Sequence, residues 1–326
     1  MAVTNASAIG LYRFSPAHLP ALVAFLNVAL AGHRHYAAIT PADFAERVLV
    51  RPQFDAAGLI LALDGERVAG AVHAIKPPLV ATADWTAEVR HHIAWLAVDP
   101  AYRRHQVGQR LLSAAEDYLY YCPVYFAAQN APFYGILERL WAPWYGSTER
   151  MGVSAVNDKE LVAWLGKRGY HVTRPGDVTM STALETHERP PDPGMAERGL
   201  RIVPVDEGSP WSGDEPGVQL RTWGSNGGRR YKGLVVADGN RAVGSVVWYP
   251  MPQPAIAALA WIGIERQYRG LRFGSYLLDL ALAEMAQQGY ASVEVHTHTG
   301  ESPEAYALFR RRGFQVIDYW VNLVKT

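Results

Sequence analysis

A seven-residue block occurs twice, and this recurrence limits the possible folds more than any other feature of the chain. Tyr102-Arg103-Arg104-His105-Gln106-Val107-Gly108 opens a helical stretch that continues through Gln109 to Leu111-Leu112. Tyr268-Arg269-Gly270-Leu271-Arg272-Phe273-Gly274 opens another, continuing through Ser275 to Leu277-Leu278 at the same spacing. Each block follows an apolar run that reads as a buried strand, Ile93 to Val98 and Ala257 to Ile264. A strand entering an arginine- and glycine-bearing turn and then a helix suits phosphate binding. The first N–H groups of the helix lack partners and converge there, and the helix dipole adds about half a positive charge.

The doubling extends beyond this block. Asp64-Gly65-Glu66-Arg67 matches Asp238-Gly239-Asn240-Arg241, each between two apolar runs, which predicts hairpins with two-residue turns. Gly169-Tyr170 matches Gly313-Phe314, each after a basic helix end. The first domain is therefore expected at residues 1–185 and the second at 199–326. A proline-rich linker, carrying Pro190-Pro191-Asp192-Pro193-Gly194, spans 186–198.

The halves also differ. The first carries an aromatic insertion around Pro132 to Val156, which reads either as a lid over an acceptor pocket or as packing between the halves. Leu19, Leu22, Val23, Phe25, Leu26 and Ala29 fall at helical spacing, and Thr40-Pro41 reads as an N-cap with proline at the first position. The matching part of the second half is Gly- and Ser-rich, as if those helices had been lost.

Composition removes other functions. Formal net charge is zero, so no overall field draws in nucleic acid or an anionic membrane. With 49% hydrophobic and 19% charged residues, the chain has core material for a soluble fold. The single cysteine, Cys122, excludes an internal disulfide. With no membrane-length apolar run and no signal-like start, it supports a cytoplasmic setting.

Strand, Tyr-Arg-x-x-x-x-Gly, helix, and a later Gly-aromatic pair together resemble the GNAT N-acetyltransferase superfamily, in a tandem two-domain arrangement. The resemblance covers nearly the whole chain. It implies an α+β fold of two GNAT-like domains, each a mixed, largely antiparallel sheet flanked by helices. The family motif is Arg/Gln-x-x-Gly-x-Gly/Ala. Arg103 and Gly108, and likewise Arg269 and Gly274, match its ends. Gln106 and Arg272 stand where the fourth-position glycine is usual; a side chain is tolerable there where φ is negative.

The resemblance further implies acyl-CoA, expected as acetyl-CoA, with its diphosphate on Arg103, Arg104, His105, Gln106, Val107, Gly108 and Gln109. The second turn would do the same through Arg269, Gly270, Leu271, Arg272, Phe273, Gly274 and Ser275. Backbone groups at Leu96 and Val98, or Ile262 and Ile264, would meet the pantetheine arm where two parallel strands part. The acceptor would be an amine of a small molecule or peptide, with neither nucleic acid nor membrane as partner. Whether the chain acts as a monomer or a homodimer stays open.

Transfer to a lysine-like amine needs a base, since deprotonation at neutral pH costs roughly 4–5 kcal/mol. His92, at the start of the first motif strand, and His296, beside Glu294 and His298, are the candidates. Two histidines without a cysteine or carboxylate cluster argue against a metal. Leu165 and Phe309 occupy the positions where many relatives place an acidic tyrosine. Tyr306, one turn before Phe309, is the substitute acid or else a packing residue. If the proton-transfer groups are lost, the chain would be a catalytically inactive tandem acyl-CoA sensor or scaffold.

Overall fold

The computed structural model of the chain describes residues 9–32, 36, 38–50, 54–76, 91–120, 123–126, 152–184, 190–205, 231–251, 253 and 255–326. Its strands are β1 (Gly10–Arg13), β2 (Leu59–Asp64), β3 (Arg67–Ile75), β4 (His91–Val98), β5 (Val124–Phe126), β6 (Val153–Ser154) and β7 (His171–Ala183). They continue as β8 (Arg201–Pro204), β9 (Lys232–Asp238), β10 (Arg241–Pro250), β11 (Ile256–Ile264), β12 (Ser292–His298) and β13 (Gln315–Lys325). The helices are α1 (Leu19–Ala29), α2 (Pro41–Phe44), α3 (Val107–Leu119), α4 (Lys159–Gly166), α5 (Phe273–Gln287) and α6 (Pro303–Arg311). No helix among the described residues is long and apolar enough to cross a membrane.

The chain packs as two units, one of residues 1–176 with 319–326 and one of residues 177–318. In the first, strands run β1-β2-β3-β4-β5, and the end of β13 pairs antiparallel with β5 through Leu323↔Phe126 and Lys325↔Val124. Among the described residues only β4 and β5 pair in parallel. Helix α3 covers one face, where Leu111, Leu112, Ala115 and Leu119 join Ile93 and Phe126 in the core. Helix α1 covers the other through Leu22, Val23, Phe25 and Leu26. The sequence spacing places α1 correctly. Thr40 caps α2, its hydroxyl accepting from Asp43 N.

The second unit repeats the plan: β8-β9-β10-β11-β12 and then residues 177–183 of β7, with β11 and β12 the parallel pair. Helices α5 and α6 pack on one face through Phe273, Leu277, Leu278 and Phe309. The Gly- and Ser-rich segment and most of the aromatic insertion lie outside the described residues.

Packing does not follow the sequence repeat. The last strand of each sequence half is divided, β7 at 176/177 and β13 at 318/319. Each unit therefore takes one strand segment from the other half of the sequence.

On β3, His73 is fully buried, its ring edge-on to Phe54 at 5.8 Å and Trp95 at 6.2 Å. Burial pushes its pKa down from 6.5 to about 3, and Asp55 offsets this only in part. The unfolded chain thus binds this proton below pH 6.5 while the native state refuses it until about pH 3, so stability falls as pH drops through that window. Going from pH 7.5 to 5 should cost the first unit about 2 kcal/mol through this residue. Urea midpoints at the two pH values should show a smaller acid loss for His73→Phe than for the parent chain.

Candidate functional site

The parallel strands of the second unit part beyond a defined point. Pairing of β11 with β12 ends at Leu259↔Val295. Beyond it, β11 stays with β10 (Val246↔Ile262, Gly244↔Ile264), while β12 goes with β7 (His296↔Thr179, His298↔Asp177). The cause is local. Trp248 pairs with Leu259 and Val247 with Trp261, leaving Ala260 as an unpaired bulge residue that turns β11 away from β12. In the first unit, the described pairing of β4 with β5 runs to Ile93↔Phe126, and Ala94 is a bulge residue of β4, skipped between His73↔Trp95 and Ala74↔Ile93. Residues following Phe126 lie outside the described set.

Alternation along a strand decides which backbone groups face the gap. Glu265 N donates to Val243 O (2.8 Å), so Glu265 and Gly263 face β10, and Ile262 and Ile264 face away from it. Asp99 N donates likewise to Ala69 O (3.0 Å), which turns Leu96 and Val98 away from β3.

A turn then leads from each strand to a helix. Gln106 (φ 62°) and Arg272 (φ 64°) occupy the N-cap positions, and neither cap residue's side chain bonds the helix start. The first helical bonds are Arg110 N to Gln106 O and Tyr276 N to Arg272 O. The amides of Val107, Gly108 and Gln109, and of Phe273, Gly274 and Ser275, therefore lack intrahelical acceptors. Among the described residues they have no other acceptor. Val107 and Phe273 are each 1% exposed and anchor the turns in the core.

The expectation of negative φ at the fourth motif position is corrected here. Gln106 and Arg272 keep the left-handed conformation that glycine would take freely, and Arg104 does so too (φ 67°), where the second unit has Gly270 (φ 81°). Such a conformation costs an ordinary residue about 1–2 kcal/mol. Arg272→Gly should accordingly raise the second unit's stability by about 1 kcal/mol, whereas Arg272→Val should lower it. Guanidinium denaturation of the two variants checks the opposite signs.

The same side-chain clamp holds both turns. Arg67 pairs with Asp99 (2.7 Å) and Tyr102 donates to Asp64 (2.7 Å). Arg241 pairs with Glu265 (2.9 Å) and Tyr268 donates to Asp238 (3.4 Å). The hairpin turn thus braces the helix-start turn. Arg103 Nε donates to Val98 O (3.3 Å) and Arg269 Nε to Ile264 O (3.0 Å). Those contacts leave the ends of both exposed guanidinium groups outward, beside Arg104, His105 and Arg272, which are also exposed. Leu271 is half-buried against the α5 core.

Neither glycine ending the motif is needed for backbone conformation or packing. Among the described residues, a Cβ on Gly274 would meet only Ile264 Cγ1, at 3.6 Å. One on Gly108 would meet Val98 Cγ2 at 3.5 Å, Leu96 Cδ2 at 3.9 Å and Trp164 Cζ2 at 3.9 Å. These are ordinary contacts; the missing side chain leaves room above the uncapped amides at Gly274, whereas at Gly108 the Trp164 indole borders that space.

The candidate acid–base groups are placed unevenly. His296 is the first β12 residue past the last parallel pair. Its Nδ1 lies 3.4 Å from Thr179 Oγ1 and its Nε2 3.9 Å from Asp177 Oδ1. Asp177 is 1% exposed, and Glu294, two residues back on β12, is equally buried. Asp177 and Thr179 escape sequence reasoning because β7 closes the first sequence half and reaches β12 only through the fold. His298 does something else: its Nδ1 accepts from Gly300 N (3.0 Å) and Glu301 N (2.8 Å), fixing the turn into α6. Tyr306 is half-buried against the α5–α6 core. Phe309 (2% exposed) and Leu165 (0%) are core residues that cannot give a proton. His92 is 2% exposed, opposite Tyr125 in the paired part of β4 and β5, with the rings 5.6 Å apart. Among the described residues no group of three or more His, Cys, Asp or Glu could hold a metal ion.

Comparison with known proteins agrees with this geometry. A family model described as "Acetyltransferase (GNAT) family" matches residues 31–120 and 200–314. No curated protein matches the chain. Among solved structures, it is similar to a GCN5-related N-acetyltransferase from Sphaerobacter thermophilus, with TM-score 0.61 and 13% identity over 98% of this chain and 95% of that one. It is also similar to a tandem GNAT protein from the clavulanic acid biosynthesis pathway, with TM-score 0.63 and 17% identity over 97% and 98%. A third is the GCN5-related glucosamine N-acetyltransferase region of a fungal multi-domain β-N-acetylglucosaminidase, with TM-score 0.65 and 12% identity over 97% of this chain and 38% of that one. At these identities the likeness is one of fold.

Proposed function

Since the chain belongs to the Acetyltransferase (GNAT) family, we propose that it is an acyl-CoA-dependent N-acyltransferase. It transfers an acetyl group to an amine of a small molecule or peptide, with chemistry in the second unit. The observation that carries this reading is the uncapped helix start after the motif strand of each unit, joined in the second unit by parallel strands that part at a bulge.

The second-unit residues fit the diphosphate and arm of coenzyme A. Amides of Gly270–Ser275 would take the diphosphate, with Arg269 and Arg272 as counter-charges. Backbone groups of Ile262 and Ile264 would take the arm. Bound acetyl-CoA supplies the activated thioester. In the first unit, Leu96, Val98 and Arg103–Gln109 stand in the equivalent places.

His296, with Nδ1 near Thr179 Oγ1 and Nε2 near Asp177 Oδ1, is proposed to take up the amine proton. Tyr306 is the proton donor to the departing thiolate. The first unit has Val162 at the position matching Tyr306, and Ala127 follows Phe126 where His296 follows Val295. His92 remains on its paired strand segment as a candidate of that unit. The near absence of net charge and the single cysteine support a cytoplasmic protein acting on neither nucleic acid nor membrane.

Buried Leu165 and Phe309 favour a second reading, an acyl-CoA sensor without turnover. A thiol assay with acetyl-CoA and a panel of amines separates the two. Amine-dependent release of free thiol, above the constant background of Cys122, is the result expected of the transferase. Saturable coenzyme A binding with no release across the panel would favour the sensor. Absence of binding would remove both.

A further inference from the structure

The two cradles share backbone geometry but differ in what stands over them. In the second unit, among the described residues, only Ile264 comes within 4 Å of a Cβ position on Gly274. In the first unit the indole of Trp164 also comes to 3.9 Å above Gly108. Trp164 lies five residues before Gly169, and the matching position before Gly313 is Leu308. Arg168 holds the indole in place: its guanidinium carbon sits 3.8 Å from the ring centroid, and its Nη1 donates to Trp164 O (3.1 Å). Leu96 and Val98, whose backbone groups face the gap, bound the same space.

An arm leaving a diphosphate on residues 104–109 and running toward Leu96 must pass Gly108. The ring stands in that path. We infer that Trp164 closes the first unit to the pantetheine arm, so the chain holds one coenzyme A, in the second unit. This inference rests on the acyl-CoA reading and assigns the cofactor to one of two similar turns. A tryptophan occupies far more volume than the leucine opposite, and π-stacked arginine opposes rotation of the ring out of the way.

Calorimetric titration of the full chain with coenzyme A tests it. One molecule per chain is expected, and Gly274→Glu should remove it. Trp164→Leu, copying the second unit, should raise the count to two, and adding Gly108→Glu to that variant should return it to one. Should the leucine unfold the first unit, as judged by its denaturation transition, Trp164→Met gives the same readout with more packing retained. Two molecules bound by the unaltered chain, or one bound by a folded Trp164 variant, would overturn the inference. No binding by any form would instead remove the acyl-CoA reading, and this inference with it.

Discussion

Gly274→Glu is expected to abolish coenzyme A binding, and with it turnover, while leaving the fold intact. The backbone there is helical and, among the described residues, the new Cβ would meet only Ile264 Cγ1 at 3.6 Å, an ordinary contact. A carboxylate at the second position of α5 even favours the helix, because it sits at the positive end of the dipole. That same carboxylate competes for the amides of Phe273, Gly274 and Ser275 and repels a diphosphate. Losing two hydrogen bonds to a charged group, each about 1.5–3 kcal/mol, predicts a loss of about 100-fold or more. Gly274→Ala should bind within a few fold of the parent chain. Calorimetry on the pair separates charge from bulk; unchanged affinity in the glutamate variant would mean that α5 does not carry the diphosphate.

Removing Tyr319–Thr326 should unfold the first unit. Trp320, Leu323 and Val324 are each at most 3% exposed, and the segment pairs with β5 and β6. Lys325 also reaches both oxygens of Glu116 at 3.0 Å, and Tyr170 donates to the same carboxylate. Each large core side chain lost costs about 2–5 kcal/mol, so three together approach the whole stability of a domain. Hydrogen exchange across β2–β5 in the shortened chain should rise to the rate of unfolded peptide, and retained protection would refute the prediction. The same reasoning applies to cutting the chain within 186–198. Residues 1–185 would lack the end of β13, and 199–326 would lack the β7 segment that pairs with β12.

Local features were legible in the sequence because local chemistry determines them. Asp64-Gly65 and Asp238-Gly239 announce hairpins, and Gly65 (φ 61°) and Gly239 (φ 57°) take the conformation a two-residue turn demands. The paired Tyr-Arg blocks locate both helix starts, and the apolar runs before them are β4 and β11. The strand bulges were hidden, because alanine at 94 and 260 carries no signature distinguishing it from any other strand alanine. Exchange of β7 and β13 was also hidden, since which half's sheet a final strand joins depends on contacts far apart in sequence. The same holds for Asp177 beside His296. At Gln106 and Arg272 the sequence misled: residues that ordinarily avoid positive φ adopt it, and strain of this kind concentrates at ligand-binding turns.

In the proposed function, the main-chain turn at the start of α5 grips the diphosphate of an acyl-CoA through its open amides. Hydrogen–deuterium exchange with and without coenzyme A tests it most directly. In the free chain the amides of Phe273, Gly274 and Ser275 lack acceptors and should exchange fast. With coenzyme A bound, peptides covering Gly270–Ser275 should become strongly protected, and Gly274→Glu should erase the effect. Saturating ligand that left this turn exchanging freely while protecting some other segment would contradict the account.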